Sequence, residues 1–237
     1  MSIRAIIFDL DDTLYPETDY VKSGFSAVGA EMERRFPIKD AYKKLIEYFS
    51  ADRRDVYGRV LRDCGVTFDE RDIADFVNIY RTHRPAITLS PEVKETLSIL
   101  KARGYKLGIL TDGRPHQQRA KLEALGLYGL VDAVVVTDEL GGEAYRKPNP
   151  AAFEAICERL AVLPEEAVYV GDNPEKDFAI KQYLRIMTVR VLSNGLYSDG
   201  SYSCGIGPDM TIKDVSALTE ILFKSMTYVQ DENQAII

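Results

Sequence analysis

The chain predicts an α/β fold, a parallel sheet covered by helices on both faces, interrupted by one helical insertion. Three observations carry this. From residue 87 onward, short β-branched runs alternate with amphipathic segments, the pattern of a parallel sheet with helical crossovers. An apolar run of the same composition, 5–8, stands alone near the start, roughly seventy residues ahead of the next one. The stretch between, about 16–86, holds no strand pattern and carries Arg, Tyr, Glu and Asp at helical spacing.

Taken in order, 5–8 reads as the first strand. Residues 16–86 read as about four helices, with apolar positions such as Ala41, Leu45 and Phe49, then Ile73, Phe76, Val77 and Tyr80, on helical faces. A structureless connection of that length is improbable. Strands are expected at 106–111, 133–137, 167–170 and 187–191, with a short last one near 210–212. Helices are expected near 91–103, 114–126, 150–161, 174–184 and 214–224. Ser90-Pro91 and Asn149-Pro150 mark two helix starts, with Pro at the first helical position. The Gly- and Ser-rich stretch 193–208 reads as a flexible surface loop, and the final dozen residues are expected to fray. The domain boundaries that follow are 1–15 with 87–237 for the α/β core and 16–86 for the insertion.

Composition narrows the function. Hydrophobic residues make up 46% and charged residues 28% of 237 positions, ordinary for a globular protein with a real core. A net charge of −7 argues against non-specific binding to nucleic acid or to an anionic membrane. It leaves a small anionic substrate open, because a local cation reverses the field inside a pocket. Three dispersed cysteines, Cys64, Cys157 and Cys204, form no metal-ligand spacing and read as reduced thiols of a cytoplasmic protein. Two histidines are too few for a His-rich zinc site. No segment reads as a signal peptide or a membrane span.

The chemistry concentrates at strand ends, where open parallel sheets bind ligands. The first strand runs into Asp9-Leu10-Asp11-Asp12. On an extended backbone Asp9 and Asp11 project to one side, and two carboxylates there suit a hard cation such as Mg²⁺, though a strand running into an acidic, solvated turn explains them as well. The second strand delivers Thr111-Asp112-Gly113, and a later one Gly171-Asp172-Asn173 with Asp177 beyond. Arg146-Lys147-Pro148 places a cation just before a helix, whose N-terminus also favours an anion. Singly, Thr111, Lys147, Asp172 and Asp177 each have an ordinary structural explanation: a strand residue, a solvated lysine, a turn former and a first-turn acid. Together they are the set that phosphoryl transfer needs, with charge neutralisation, positioning and a nucleophile.

Phe8-Asp9-Leu10-Asp11-Asp12-Thr13-Leu14, Thr111-Asp112-Gly113, Lys147-Pro148 and Gly171-Asp172-Asn173-Pro174-Glu175-Lys176-Asp177 resemble the four ordered motifs of the haloacid dehalogenase superfamily. The helical insertion after the first motif is similar to that family's C1-type cap. The run from Gln118 to Leu127 is similar to small-metabolite phosphatases, including N-acylneuraminate-9-phosphatase-like members. The resemblance implies a Rossmann-like core and a phosphatase acting on a small phosphorylated metabolite, with no nucleic-acid or membrane partner, as a monomer or homodimer.

By that resemblance Asp9 is the nucleophile that forms an aspartyl-phosphate. Asp11 is the general acid and then the general base. Mg²⁺ is held by Asp9, Asp172 and the backbone carbonyl of Asp11. Thr111, with the backbone at Asp112 and Gly113, binds phosphoryl oxygens. Lys147 balances charge on Asp9 and the phosphate, and Asp177 orients Lys147 or a metal-bound water. A general acid at neutral pH requires a pKa above the usual ~3.9 of Asp. Arg53, Arg54, Tyr57, Arg59 and Arg84 lie in the insertion as candidates for substrate contact, but a solvated helix face balanced by neighbouring acids is the stronger explanation of each.

Rival readings share much of this. A 2-haloacid dehalogenase uses the Asp nucleophile on carbon without Mg²⁺ and lacks the second acid. A phosphomutase shares every residue named. A non-catalytic regulatory protein would usually have lost one of them. No G-x-G-x-x-G follows a strand, which argues against a dinucleotide site.

Overall fold

The computed structural model describes residues 2–192, 195 and 200–221. The chain divides into two compact units, one of residues 1–17 with 88–237 and one of residues 18–87.

The first unit is a six-stranded sheet of β1 (Ala5–Phe8), β2 (Lys106–Thr111), β3 (Ala133–Val136), β4 (Ala167–Gly171), β5 (Met187–Val191) and β6 (Met210–Ile212). The spatial order is β3-β2-β1-β4-β5-β6 and every pair is parallel. All four residues of β1 and all five of β4 are buried. Successive strand residues face opposite sides, so burial at every position means both faces of the sheet are covered. That is why these strands read as continuous apolar runs. β1 is the hinge of the order: the chain moves from it to β2 and β3 on one side, and returns to β4 on the other. This reversal is the topological switch point at which such sheets bind ligands.

Among the described residues, the longer helices of this part of the chain are α5 (Pro91–Ala102), α6 (Pro115–Ala124) and α7 (Pro150–Leu160). The start signals act as expected. Ser90 Oγ accepts from the Val93 N–H, and Asn149 Oδ1 accepts from the Ala151 N–H, each with Pro at the first helical position. α7 lays Phe153, Ile156 and Leu160 into a core shared with Ile7, Leu110 and Tyr169. Gly108 lets it come close: a Cβ there would stand 2.9 Å from Leu160 Cδ1.

The second unit holds most of α1 (Glu17–Arg35) and all of α2 (Ala41–Ala51), α3 (Val56–Asp63) and α4 (Glu70–Thr82). Its core joins Phe25, Val28, Met32, Leu45, Leu61 and Phe76. An Asp69–Asp72 capping box starts α4.

One expected helix is absent. Residues 174–184 form turns and one short 3-10 helix, Ala179–Gln182. Asn173 and Asp177 bond the local backbone instead. Asn173 Oδ1 accepts from the Glu175 N–H, and Asp177 Oδ2 accepts from the Asn173 N–H, both at 2.9 Å. Such side-chain bonds compete with the helical ladder.

Of the loop expected at 193–208, residues 193, 194 and 196–199 lie outside the described residues, as does the whole of the last dozen. The described part is tied down: the Ser203 N–H donates to Pro174 O at 3.2 Å, and Arg190 donates to Tyr202 Oη at 2.9 Å. The helix expected at 214–224 begins as a 3-10 turn, Val215–Ala217, and its end beyond 221 lies outside the described residues. The three cysteines are free thiols. Among the described residues no helix is long and apolar enough to cross a membrane.

Candidate active site

Asp9 follows β1 directly, and its N–H donates to Val170 O of β4 at 2.8 Å. The register Phe8↔Val170 therefore brings Asp9 and Asp172 to the same end of adjacent strands. β1 itself stops at Phe8, and Asp12 turns the chain with φ of 54°. Asp9 and Asp11 thus reach the site through a turn and not through strand alternation, and their carboxylates meet different partners.

A cavity of about 390 Å³ opens there. Asp9, Asp11, Asp112, Gly113, Lys147 and Asp172 line it, as do Asp12, Glu17, Arg146, Asn173 and Lys176. Thr111 and Asp177 are buried behind the wall at 1% and 0% exposure, and neither is among the lining residues. Gly113 sits at φ +134°, a conformation that favours glycine.

Lys147 is the centre of the buried charge. Its Nζ lies 2.8 Å from Asp9 Oδ1, 2.9 Å from Asp177 Oδ1 and 2.7 Å from Tyr169 Oη. Tyr169 in turn donates to Asp177 Oδ1 at 2.9 Å. Burial works against the ammonium, but Asp177 and Asp9 more than offset it and hold Lys147 well above the usual lysine range. Burial pushes Asp9 up to about 6, with Lys147 opposing and Asp177 reinforcing that rise. Burial, then Asp9, Asp177 and Asp12, push Asp172 up to about 8.

Carboxylate oxygens of Asp9, Asp172 and Asp177 lie within 4.8 Å of one another. This donor set fits a hard cation: three buried carboxylates crowd together, and the one farthest from Lys147's bonds, Asp172, is driven toward its neutral form. Asp177 is the least suited of the three, since Lys147, Tyr169 and the Asn173 N–H already occupy its oxygens. Asp9 and Asp172 are the better pair. Thr13 Oγ1 donates to Asp172 Oδ1 at 3.4 Å.

Asp11 is held by a clamp that sequence reading missed. Lys121 Nζ stands 2.7 Å and 2.9 Å from its two oxygens, Gln118 Nε2 donates at 3.0 Å, and the Tyr15 hydroxyl donates as well. Burial pushes Asp11 upward, yet Lys121 and these donors hold it below the usual carboxylate range. Gln118 also donates to Thr111 Oγ1 at 2.6 Å, so one side chain joins two motifs. α6 places the clamp: Gln118 and Lys121 occupy the buried stripe of that helix beside Leu122. A polar pair on a core-facing stripe needs partners.

Asp112 organises the opposite wall. Its Oδ1 accepts from Thr137 Oγ1 at 2.9 Å and from the Lys147 N–H at 3.1 Å, and its Oδ2 from Lys176 Nζ at 3.1 Å. Burial raises Asp112, but Lys147 and Lys176 bring it below the usual range. Glu17, also unforeseen, is pushed up to about 7 by burial and by Asp11.

In the helical unit, Arg53 and Tyr57 line a separate cavity of about 330 Å³ with Phe25, Phe49 and Tyr80. Arg54 pairs with Asp52 at 2.9 Å. Arg59 stacks over Tyr48 and donates to backbone carbonyls. Arg84 is exposed.

The sequence matches the haloacid dehalogenase-like hydrolase family over residues 3–180, and a HAD-hydrolase-like family over 144–218. It is 32% identical over 206 residues to a protein of Methanopyrus kandleri named glyceraldehyde 3-phosphate phosphatase, covering 83% of this chain and 87% of that one. The structure is similar to a HAD phosphatase from Thermococcus onnurineus at 27% identity and TM-score 0.59, covering 93% of this chain and 98% of that one. It is also similar to a 2-haloacid dehalogenase from Pseudomonas syringae at 26% identity and TM-score 0.61, covering 94% and 99%. A parallel sheet whose switch point gathers Asp9, Lys147 and Asp172 agrees with that match over three quarters of the sequence, and the chain belongs to the haloacid dehalogenase-like hydrolase family.

Proposed function

We propose that this hydrolase is a Mg²⁺-dependent phosphatase of a small phosphometabolite, working through an aspartyl-phosphate on Asp9. The observation that carries this reading is the second acid. Asp11 lines the same cavity as Asp9, Lys147 and Asp172, and a dehalogenase has no use for it. The relative named a glyceraldehyde 3-phosphate phosphatase supports a sugar phosphate or similar ester as substrate. The helical unit is proposed as the C1-type cap, and the free thiols accord with a cytoplasmic setting.

Asp9 has one oxygen on Lys147 at 2.8 Å. Its other oxygen is the nucleophile: it forms the bond to phosphorus as the bond to the leaving oxygen breaks. Asp11 gives that oxygen a proton, then takes one from the water that cleaves the acyl phosphate, so an alcohol and inorganic phosphate leave and Asp9 is restored. The Lys121 clamp favours the anionic Asp11 needed for the second half. A phosphate dianion arriving beside Asp11 favours the protonated form needed for the first. Asp9, Asp172 and the Asp11 carbonyl would hold Mg²⁺, which when bound offsets the repulsion between the carboxylate and the phosphate. Thr111 accepts from Gln118 and keeps its own O–H for a phosphoryl oxygen. Lys147 keeps Asp9 ionised, and Asp177 with Tyr169 fixes Lys147.

Phosphate release from a panel of sugar phosphates, nucleotides and phospho-acids tests this, with and without Mg²⁺ and with Asp9→Asn as the blank. Mg²⁺-dependent release that the blank lacks is expected. Release that survives Asp9→Asn, or none from any ester, overturns it.

A further inference from the structure

Lys147 has no N–H left to offer. An ammonium carries three donors, and Asp9, Asp177 and Tyr169 take them at 2.8, 2.9 and 2.7 Å. Two other cations line the cavity, Arg146 and Lys176. Lys176 gives one N–H to Asp112 at 3.1 Å and has two more. Arg146 donates through Nε and Nη2 to Asp138 at 2.7 and 2.8 Å, and its Nη2 also lies 3.3 Å from Glu143. Its Nη1 makes no hydrogen bond or ion pair among the described residues. Both side chains are about a third exposed, at 34% and 31%.

Neither cation bonds Asp9 or Asp172 among the described residues. Arg146 hangs from Asp138, which lies outside the cavity lining, and Lys176 from Asp112 on the cavity wall. Asp112 also ties the two together, because it accepts from the N–H of Lys147, the residue after Arg146. The cavity, at about 390 Å³, is far larger than a phosphoryl group fills. Its acids Asp11, Asp12 and Glu17 repel an anion elsewhere in it.

We propose that Arg146 and Lys176 form a subsite for a second anionic group on the substrate, a carboxylate or another phosphate, distinct from the phosphoryl group that is transferred. This rests on the phosphatase reading and narrows its substrate class. Charged donors with free N–H groups gain most from a charged acceptor, so the subsite discriminates substrates by that group and leaves the chemical step to Asp9.

The test compares substrates matched in skeleton: phosphoglycerate against glyceraldehyde 3-phosphate, which differ by carboxylate and aldehyde, and a sugar bisphosphate against its monophosphate. The wild-type kcat/KM is expected to favour the charged member of at least one pair, which identifies the group. Lys176→Met should lower that preference about tenfold or more, through KM, and Lys176→Arg should restore most of it. Equal wild-type rates within both pairs, or an equal loss on both members in Lys176→Met, overturn the subsite. If no ester is hydrolysed, the phosphatase reading fails by itself. Calorimetry then reads the subsite: phosphoglycerate binding that weakens about tenfold in Lys176→Met supports it, and equal or absent binding overturns it.

Discussion

Asp172 illustrates how a residue's environment sets its chemistry. Burial, Asp9, Asp177 and Asp12 raise its folded-state pKa to about 8, against ~3.9 in an unfolded chain. Between these values the folded state holds a proton that the unfolded state has lost. Its contribution to stability is therefore complete below about pH 4 and falls away as pH rises through about 8. Asp9, raised to about 6, acts in the same direction. In chelator, Asp172→Asn should melt a few degrees above the wild type at pH 9, with the gap closing toward pH 5. Thermal melts by circular dichroism would show it, and a gap that widens toward low pH would contradict the assignment. The same variant should lose Mg²⁺-dependent turnover.

Among the elements, β4 makes a tight demand beside the site. It ends in Gly171, where a Cβ would stand 2.4 Å from Asp177 Oδ2 and 2.7 Å from its Cγ. Only a glycine lets Asp177 reach Lys147 past the strand. Gly171→Ala should displace Asp177, lose about 1–3 kcal/mol of stability and cut kcat at least tenfold by loosening Lys147. Denaturant melts and turnover at saturating substrate measure both, and wild-type turnover would remove Asp177 from the site. The sheet was legible because its strands are apolar on both faces, and α5 and α7 because Ser90-Pro91 and Asn149-Pro150 start them. The 174–184 segment was not, because Asn173 and Asp177 bind backbone, a choice helical periodicity does not encode. Nor was the Asp11 clamp. Which face of α6 meets the turn after β1 depends on packing across 110 residues of sequence separation. Motif order placed Asp9, Lys147 and Asp172. The partners that tune them, Tyr169, Lys121, Gln118 and Lys176, became visible only in three dimensions.

For the molecule as a whole, a net charge of −7 is compatible with an anionic ester only if the cavity's own charge is answered locally. Mg²⁺ binding to Asp9 and Asp172 should then stabilise the folded chain by linkage. At a hundredfold excess over Kd the melting temperature should rise about 5–10 °C, and the rise should vanish in Asp172→Asn. Calorimetric scans with Mg²⁺ and with chelator decide this, and an equal rise in both proteins would place the ion elsewhere. Acid quench of the enzyme during turnover, followed by mass spectrometry of the peptide holding residues 4–14, reads the aspartyl-phosphate itself. A phosphoryl group on Asp9 that appears with substrate and is absent from Asp9→Asn is expected. Turnover with Asp9 never phosphorylated, or with the phosphoryl group on another residue, would contradict it.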